Sequence, residues 1–276
     1  MGRTICAQRN SQILTMENLY VIKIGGNIID DDALLSVFLR KFADIKSKKI
    51  LVHGGGKLAT RLAEKLGIPQ QLIDGRRITD GETLKIVTMV YAGYINKHIV
   101  AELQSLNCNS IGISGADGNS ILAHKRENKE IDYGFAGDID QVNTGLFKLL
   151  LDNGICIVVS SITHDRNNQL LNTNADTIAQ EIAKSMSNIF GVSLVYSFEK
   201  PGVLKDVDDE NSVIAELYRG DYKELKETKK IISGMIPKLD NAYKAIDAGV
   251  SKVIIGKGEE LDLLITGKTG TTISHE

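Results

Sequence analysis

Short apolar runs alternate with longer stretches of helical periodicity along almost the whole chain. The runs 19–24, 50–52, 110–113, 155–159, 194–196 and 252–255 are short and nearly continuously apolar, and most end at glycine or small polar residues. Such runs predict strands buried on both faces. Between them, segments 31–47, 56–66, 80–105, 174–187 and 238–248 read as helices. Two are sharply specified. In 174–187 the apolar stripe is Ala175, Ile178, Ala179, Ile182, Ala183 and Met186. In 238–248 it is Leu239, Ala242, Tyr243 and Ile246, with Gly249 following as a C-terminal cap.

This alternation predicts an α/β fold, a mainly parallel open sheet covered by helices on both faces. The stretch 119–140 breaks the rhythm, and 121–125 with 131–133 predict a polar β-hairpin. There is no linker rich in proline, glycine or serine, and no internal repeat. A soft division falls near residue 188, after the helix that carries Asp176, giving halves 16–188 and 189–276.

A chain of 276 residues can bury an ample core, as one large domain or two packed halves. The formal charge of -2 argues against a nucleic-acid binder. The lysine clusters 46, 48, 49 and 223, 226, 229, 230 read as solvated helix faces, with acids interleaved in the second. No apolar run is long enough to span a bilayer. Cys6, Cys108 and Cys156 are too few and scattered for a disulfide framework or zinc site, and Cys156 reads as core. A reducing cytoplasm fits that usage. Residues 1–15 carry Arg3 and Arg9 and no acid, and Met16 precedes the first strand. This leader reads as an upstream start or a disordered arm.

Four motifs carry the chemistry: Lys23-Ile24-Gly25-Gly26, His53-Gly54-Gly55-Gly56, Asn172-Thr173-Asn174-Ala175-Asp176 and Gly234-Met235-Ile236-Pro237-Lys238. Two follow apolar strands and two introduce helices. Glycines at the carboxyl end of a parallel strand let backbone N–H groups approach an anion, aided by the positive end of the next helix. A single glycine pair there is ordinarily a tight turn; two such loops, one beside Lys23, favour an anion site. Gly267-Lys268-Thr269 has the ending of a Walker A loop, but Asp262 occupies its first glycine position. The dinucleotide fingerprint is also missing after the first strand, which removes a P-loop NTPase and disfavours a Rossmann dehydrogenase. Phosphoryl transfer needs positioning and charge neutralisation rather than covalent help. Lys23 and Lys238 can neutralise the transferring oxygens, and Asp176 can hold both ammonium groups. Seen singly, each would read as a surface lysine or a helix-capping aspartate.

With Gly-Arg-Arg-Ile-Thr-Asp at 75–80 and Val-Val-Ser-Ser-Ile at 158–162 added, the chain resembles the N-acetylglutamate kinase branch of the amino acid kinase family over residues 19 to 273. That resemblance implies a three-layer αβα sandwich. It implies that Lys23 and Lys238 stabilise the transferring phosphoryl group with Asp176 orienting both. Gly55 and Gly56 would donate backbone hydrogen bonds to substrate and phosphoryl. Arg77 would clamp the α-carboxylate with its planar fork. Asn172 and Asn174 would complete the amino-acid site, with the acyl amino acid and a dimer interface in the first half. ATP would occupy the second half, served by Gly25, Gly26, Glu199, Gly202, Leu204, Ser233 and Gly234. Magnesium would be held mainly by the nucleotide phosphates, with no protein metal cage.

The sequence departs from the family pattern in two places. Phe198-Glu199 stands where a hydroxyl residue and an aspartate are usual, which leaves the nucleotide contacts open. Thr163 replaces a common glycine, either in a loop near the acyl group or as a surface substitution. The expected reaction is ATP-dependent phosphorylation of the side-chain carboxylate of N-acetyl-L-glutamate, in arginine biosynthesis. The same reaction on N-succinyl-L-glutamate is the close alternative, and a non-catalytic sensor on this fold is the distant one. Arginine-inhibited members of the family this chain resembles carry a longer N-terminal helix that links dimers; no such helical stripe is seen here, so the resemblance implies a homodimer insensitive to arginine. His53 reads as a packing or loop-orienting residue rather than a base.

Overall fold

Residues 16–73, 76–206, 208–227 and 235–275 are described in a computed structural model of the chain. The leader, Gly75 of the arginine motif, and Ser233 and Gly234 lie outside the described residues. Along the chain the strands are β1 (Asn18–Lys23), β2 (Lys48–His53), β3 (Leu72–Ile73), β4 (Arg76–Arg77), β5 (Ser110–Ile113), β6 (Ile121–Lys125) and β7 (Gly137–Val142). There follow β8 (Cys156–Ser160), β9 (Ile162–His164), β10 (Leu170–Asn172), β11 (Gly191–Phe198), β12 (Glu216–Leu217), β13 (Lys252–Lys257) and β14 (Thr271–Ile273). Between them run α1 (Gly26–Ile29), α2 (Asp32–Asp44), α3 (Gly56–Lys65), α4 (Gly81–Val87) and α5 (Asn96–Ser105). The remaining helices are α6 (Thr144–Asp152), α7 (Ala175–Met186), α8 (Arg219–Glu227), α9 (Ile236–Asp247) and α10 (Leu261–Ile265).

Among the described residues the main sheet has eight strands in the order β12-β14-β13-β11-β1-β2-β8-β5. Every neighbouring pair is parallel except β13 with β14. The period-two alternation of β1 divides the core into two layers. Leu19 and Val21 join a cluster with Ile178, Ile182 and Met186 of α7 and Leu239 and Ile246 of α9. Ile22 joins the opposite cluster, with Phe38 and Phe42 of α2 and Ile99 and Leu103 of α5. The result is the expected three-layer αβα arrangement. Each layer draws on residues from both sides of residue 188, so one continuous core underlies both halves.

All six strands form: β5 keeps its expected bounds, β1 and β8 shift by one residue, and β2, β11 and β13 run a few residues longer. The α7 stripe is buried along its whole length, and Gly249 caps α9 with a φ of 100°. Helix α2 stops short of the predicted 47. Lys49 of β2 is buried and donates to the carbonyls of Phe42 (2.9 Å), Ala43 (2.7 Å) and Ile45 (2.8 Å), closing the helix end. The first lysine cluster is therefore no solvated helix face: Lys48 and Lys49 lie in a strand, and only Lys46 is exposed. In the second, Lys223 and Lys226 are exposed on α8, while 229 and 230 lie outside the described residues. Cys156 packs in the core, with the Cys108 thiol beside it.

The predicted hairpin needs correction. β6 pairs antiparallel with β7, not with 131–133. The Asn128 side chain accepts from the N–H groups of Glu130 and Ile131, and Asp132 accepts from Gly134, so local side-chain turns consume that segment. The predicted helix 80–105 is one rod, but its middle turns, Thr88–Ile95, are wound as a π-helix.

Candidate active site

Four adjacent strands, β11, β1, β2 and β8, point their carboxyl ends the same way. After β1 the chain builds β2 and β8 on one side, and later β11 and β13 on the other. A crevice opens where the winding reverses, the usual ligand position in such sheets. A cleft of about 240 Å³ lies there. It is smaller than typical drug-sized sites of roughly 300–1,000 Å³, which suits a compact metabolite.

Lys23, Gly26, Gly55, Gly56, Arg77, Asn172 and Asn174 all line this cleft. Gly55 has a φ of 150°, and a Cβ there would lie 2.1 Å from Ile95 Cδ1 and 3.2 Å from Tyr91 Cδ1. Only glycine lets the loop pass this close to the π-helix. Gly56 opens α3, so that helix presents its N-terminus to the cleft. Arg77 is buried, and its Nη2 donates to Gly56 O and Thr60 Oγ1, both at 2.9 Å, while Nη1 donates to Gln70. The guanidinium is thus held by the start of α3. Asn172 Nδ2 donates to Thr79 Oγ1 at 3.0 Å. Asn174 caps α7, its side chain accepting from the N–H groups of Asp176 and Thr177.

The charged centre lies at the Lys23 end. Lys23 Nζ is 2.9 Å from Asp176 Oδ1. The contact is an ion pair outside hydrogen-bond geometry, so Oδ1 has no hydrogen-bond donor of its own. Lys238 enters from the first turn of α9. Burial lowers its pKa, and the Asp176 charge opposes that shift. Its Nζ sits 3.8 Å from the Phe198 ring centroid, and Lys23 Nζ is 5.8 Å from the same centroid. The structure thus brings Lys23 and Lys238 to one aromatic ring, with Asp176 paired to Lys23.

His53 is fully buried. Its Nδ1 faces Gly54 O at 2.9 Å and its Nε2 faces Asn96 Nδ2 at 3.1 Å, an arrangement that a neutral ring with the proton on Nδ1 satisfies. Desolvation depresses its pKa to about 4. It orients the glycine loop and has no free nitrogen for a base's work. Thr163 lies in neither a surface loop nor the cleft lining. It is buried in β9, where its hydroxyl meets Thr173 Oγ1 at 2.8 Å.

Gly25 takes the N-cap of α1, where a Cβ would meet Ser197 O at 2.9 Å. Glu199 is exposed just after β11. Gly202 and Leu204 are packed rather than open: a Cβ on Gly202 would meet Thr271 Oγ1 at 2.7 Å, and Leu204 bridges to Val213.

Residues 18–257 match the amino acid kinase family. The chain belongs to that family. A relative in it, the acetylglutamate kinase of Cytophaga hutchinsonii, is 56% identical, with 91% of this chain and 95% of the relative covered. The acetylglutamate kinase of Methanopyrus kandleri is 38% identical, covering 87% of this chain and 96% of the relative. Giardia lamblia carbamate kinase bound to AMP-PNP shares the fold with a TM-score of 0.68 at 14% identity, covering 95% of this chain and 99% of that one.

Three residues of this amino acid kinase escaped the sequence reading. Tyr91 and Arg126 line the cleft, and Arg126 is fixed by Asp138 and lies over the Tyr133 ring. Ser161 also lines it, with a buried Oγ that has no hydrogen-bond partner. Ser161 lies inside the Val-Val-Ser-Ser-Ile motif at 158–162, a local signal that points to it. Tyr91 and Arg126 carry no local signal.

Proposed function

We propose that this protein transfers the γ-phosphoryl group of ATP to the side-chain carboxylate of N-acetyl-L-glutamate, forming N-acetyl-L-glutamyl 5-phosphate. The observation that carries this reading is that Lys23, which lines the same small cleft as Arg77, pairs with Asp176 and shares the Phe198 ring with Lys238. Arg77 takes the substrate's α-carboxylate, with Asn172 and Asn174 beside it. That leaves the side-chain carboxylate directed toward Lys23.

A glutamyl carboxylate, with an ordinary pKa near about 4.3, is already anionic at neutral pH and needs no general base. One of its oxygens attacks the γ-phosphorus in line, and the bond to the bridging oxygen of ADP breaks. Lys23 and Lys238 neutralise the equatorial oxygens while Asp176 keeps both ammonium groups in place. The N–H groups of Gly55 and Gly56 add donors at the α3 N-terminus.

The nucleotide belongs on the 189–276 side, with Gly25, Gly26, Glu199, Gly202 and Leu204 assigned to it; Ser233 and Gly234, assigned with them by the sequence motif, lie outside the described residues. Among the described residues no group of three or more histidine, cysteine or acidic side chains gathers as a metal cage. Magnesium would arrive with the nucleotide, held mainly by its phosphates. Asp176 and Glu199 are the acids near Lys238, within reach of such a complex.

The acetyl substrate is favoured over succinyl because relatives at 51–56% identity carry the name acetylglutamate kinase. That name supports a step in arginine biosynthesis, and the few scattered cysteines fit a reducing cytoplasm. A sensor has no use for a half-buried lysine pair with its aspartate. Exposed Met89 and Tyr94, beside Leu58 and Leu62, form an apolar patch in the first half that fits a homodimer. Light scattering at micromolar protein checks the dimer, and millimolar arginine should leave activity unchanged.

Hydroxylamine trapping with MgATP tests the reaction. N-acetyl-L-glutamate should yield hydroxamate, while L-aspartate and a no-substrate control should not. Absence of hydroxamate with N-acetyl-L-glutamate would overturn the reading, and a larger yield with N-succinyl-L-glutamate would reassign the acyl group.

A further inference from the structure

From the packing around β11, we infer that Phe198 is a positioning residue for Lys238, its ring face seating the ammonium group beside Asp176. The inference rests on the kinase reading above. Phe198 is the last residue of β11 and packs half-buried against the core. Tyr196, two residues earlier on the same face of the strand, is buried and stacks on it with centroids 6.1 Å apart and planes 18° from parallel. The Tyr196 hydroxyl in turn donates to the backbone oxygen of Asp176 at 3.4 Å. The Phe198 ring is thereby tied to the helix that carries Asp176.

The ring meets both lysines: Lys238 Nζ lies 3.8 Å from its centroid and Lys23 Nζ 5.8 Å. A lysine ammonium on a four-carbon stem samples many rotamers unless something holds it. Burial also penalises this charge, and a second ammonium nearby adds repulsion. The negative face of an aromatic ring offsets both effects without forming a directional bond. Such a seat holds Lys238 near the transfer site yet can be exchanged for phosphoryl oxygens when the nucleotide binds. A hydroxyl at position 198, usual in the family this chain resembles, would offer no such face.

The test is steady-state kinetics on Phe198→Leu, Phe198→Tyr, Lys238→Ala and the Phe198→Leu/Lys238→Ala double variant, with thermal unfolding of each. Phe198→Leu should lower kcat about tenfold while leaving KM for the acyl amino acid nearly unchanged. Phe198→Tyr, which keeps the ring, should recover most of that loss. In the Lys238→Ala background, Phe198→Leu should have no further effect. Should Phe198→Leu not fold, Phe198→Met carries the same comparison. An undiminished kcat in Phe198→Leu, an equal loss in both backgrounds, or a rise confined to KM for ATP would each overturn the inference. Wild-type turnover in Lys238→Ala alone would instead sink the role of Lys238 in the kinase reading.

Discussion

Lys23 Nζ stands 2.9 Å from Asp176 Oδ1, joining the last residue of β1 to the first turn of α7. The two residues are 153 positions apart by their numbers, and only the parallel sheet brings them together. Asp176→Asn keeps the shape and removes the charge that pairs with Lys23 and favours the charged form of Lys238. Turnover should fall by about 10²–10³-fold, as when a preorganised electrostatic element is lost, with a small change in KM. Rapid-quench measurement of the phosphoryl-transfer step checks this, and an unchanged rate would leave Asp176 as a surface ion-pair partner.

Arg77 is anchored through Nη2 by Gly56 O and Thr60 Oγ1 and through Nη1 by Gln70, which fixes the plane of its guanidinium in the cleft wall. Arg77→Ala should raise KM for the acyl amino acid much more than KM for ATP. Arg77→Lys should not restore it, because a point charge lacks the fork. Equal changes in both KM values would move Arg77 away from the substrate.

At Gly55 both the backbone and the space forbid a side chain. Gly55→Ala should destabilise the fold by about 2 kcal/mol or more through positive φ and the clash with Ile95. Thermal unfolding reads that loss. Trimming the clashing residue, as in Ile95→Val, should recover only part of it, because the φ remains unfavourable.

His53 gives the fold a pH dependence with a definite sign. Its folded pKa is lowered from 6.5 to about 4, so between those values the unfolded chain binds a proton that the folded chain refuses. Its contribution is fully present above pH 6.5 and is lost as the pH falls toward 4, up to about 3 kcal/mol in all. Denaturant unfolding at pH 7, 5.5 and 4.5 should show this loss. In His53→Gln the loss between pH 7 and 4.5 should be smaller, and an identical pH dependence would show that His53 is not its source.

Much was legible in the sequence. Strand runs, the α7 and α9 stripes and the glycine loops follow from local periodicity and from residue chemistry that acts over a few positions. The physical reason is that burial of an apolar stripe and the freedom of glycine are properties of short segments. The failures share the opposite character. The hairpin partner of β6 was misread because Asn128 and Asp132 fold the intervening segment into turns and leave β7 to pair. Lys49 looked solvated until three carbonyls at the end of α2 received its ammonium. The π-winding beside Gly55, the ring of Phe198 under Lys238 and the arrival of Arg126 in the cleft depend on contacts between segments distant in sequence. Sequence pattern determined which groups this protein could use. Packing of the two helical layers on one twisted sheet decided which of them meet, because distances across a core are set by the whole fold rather than by any segment.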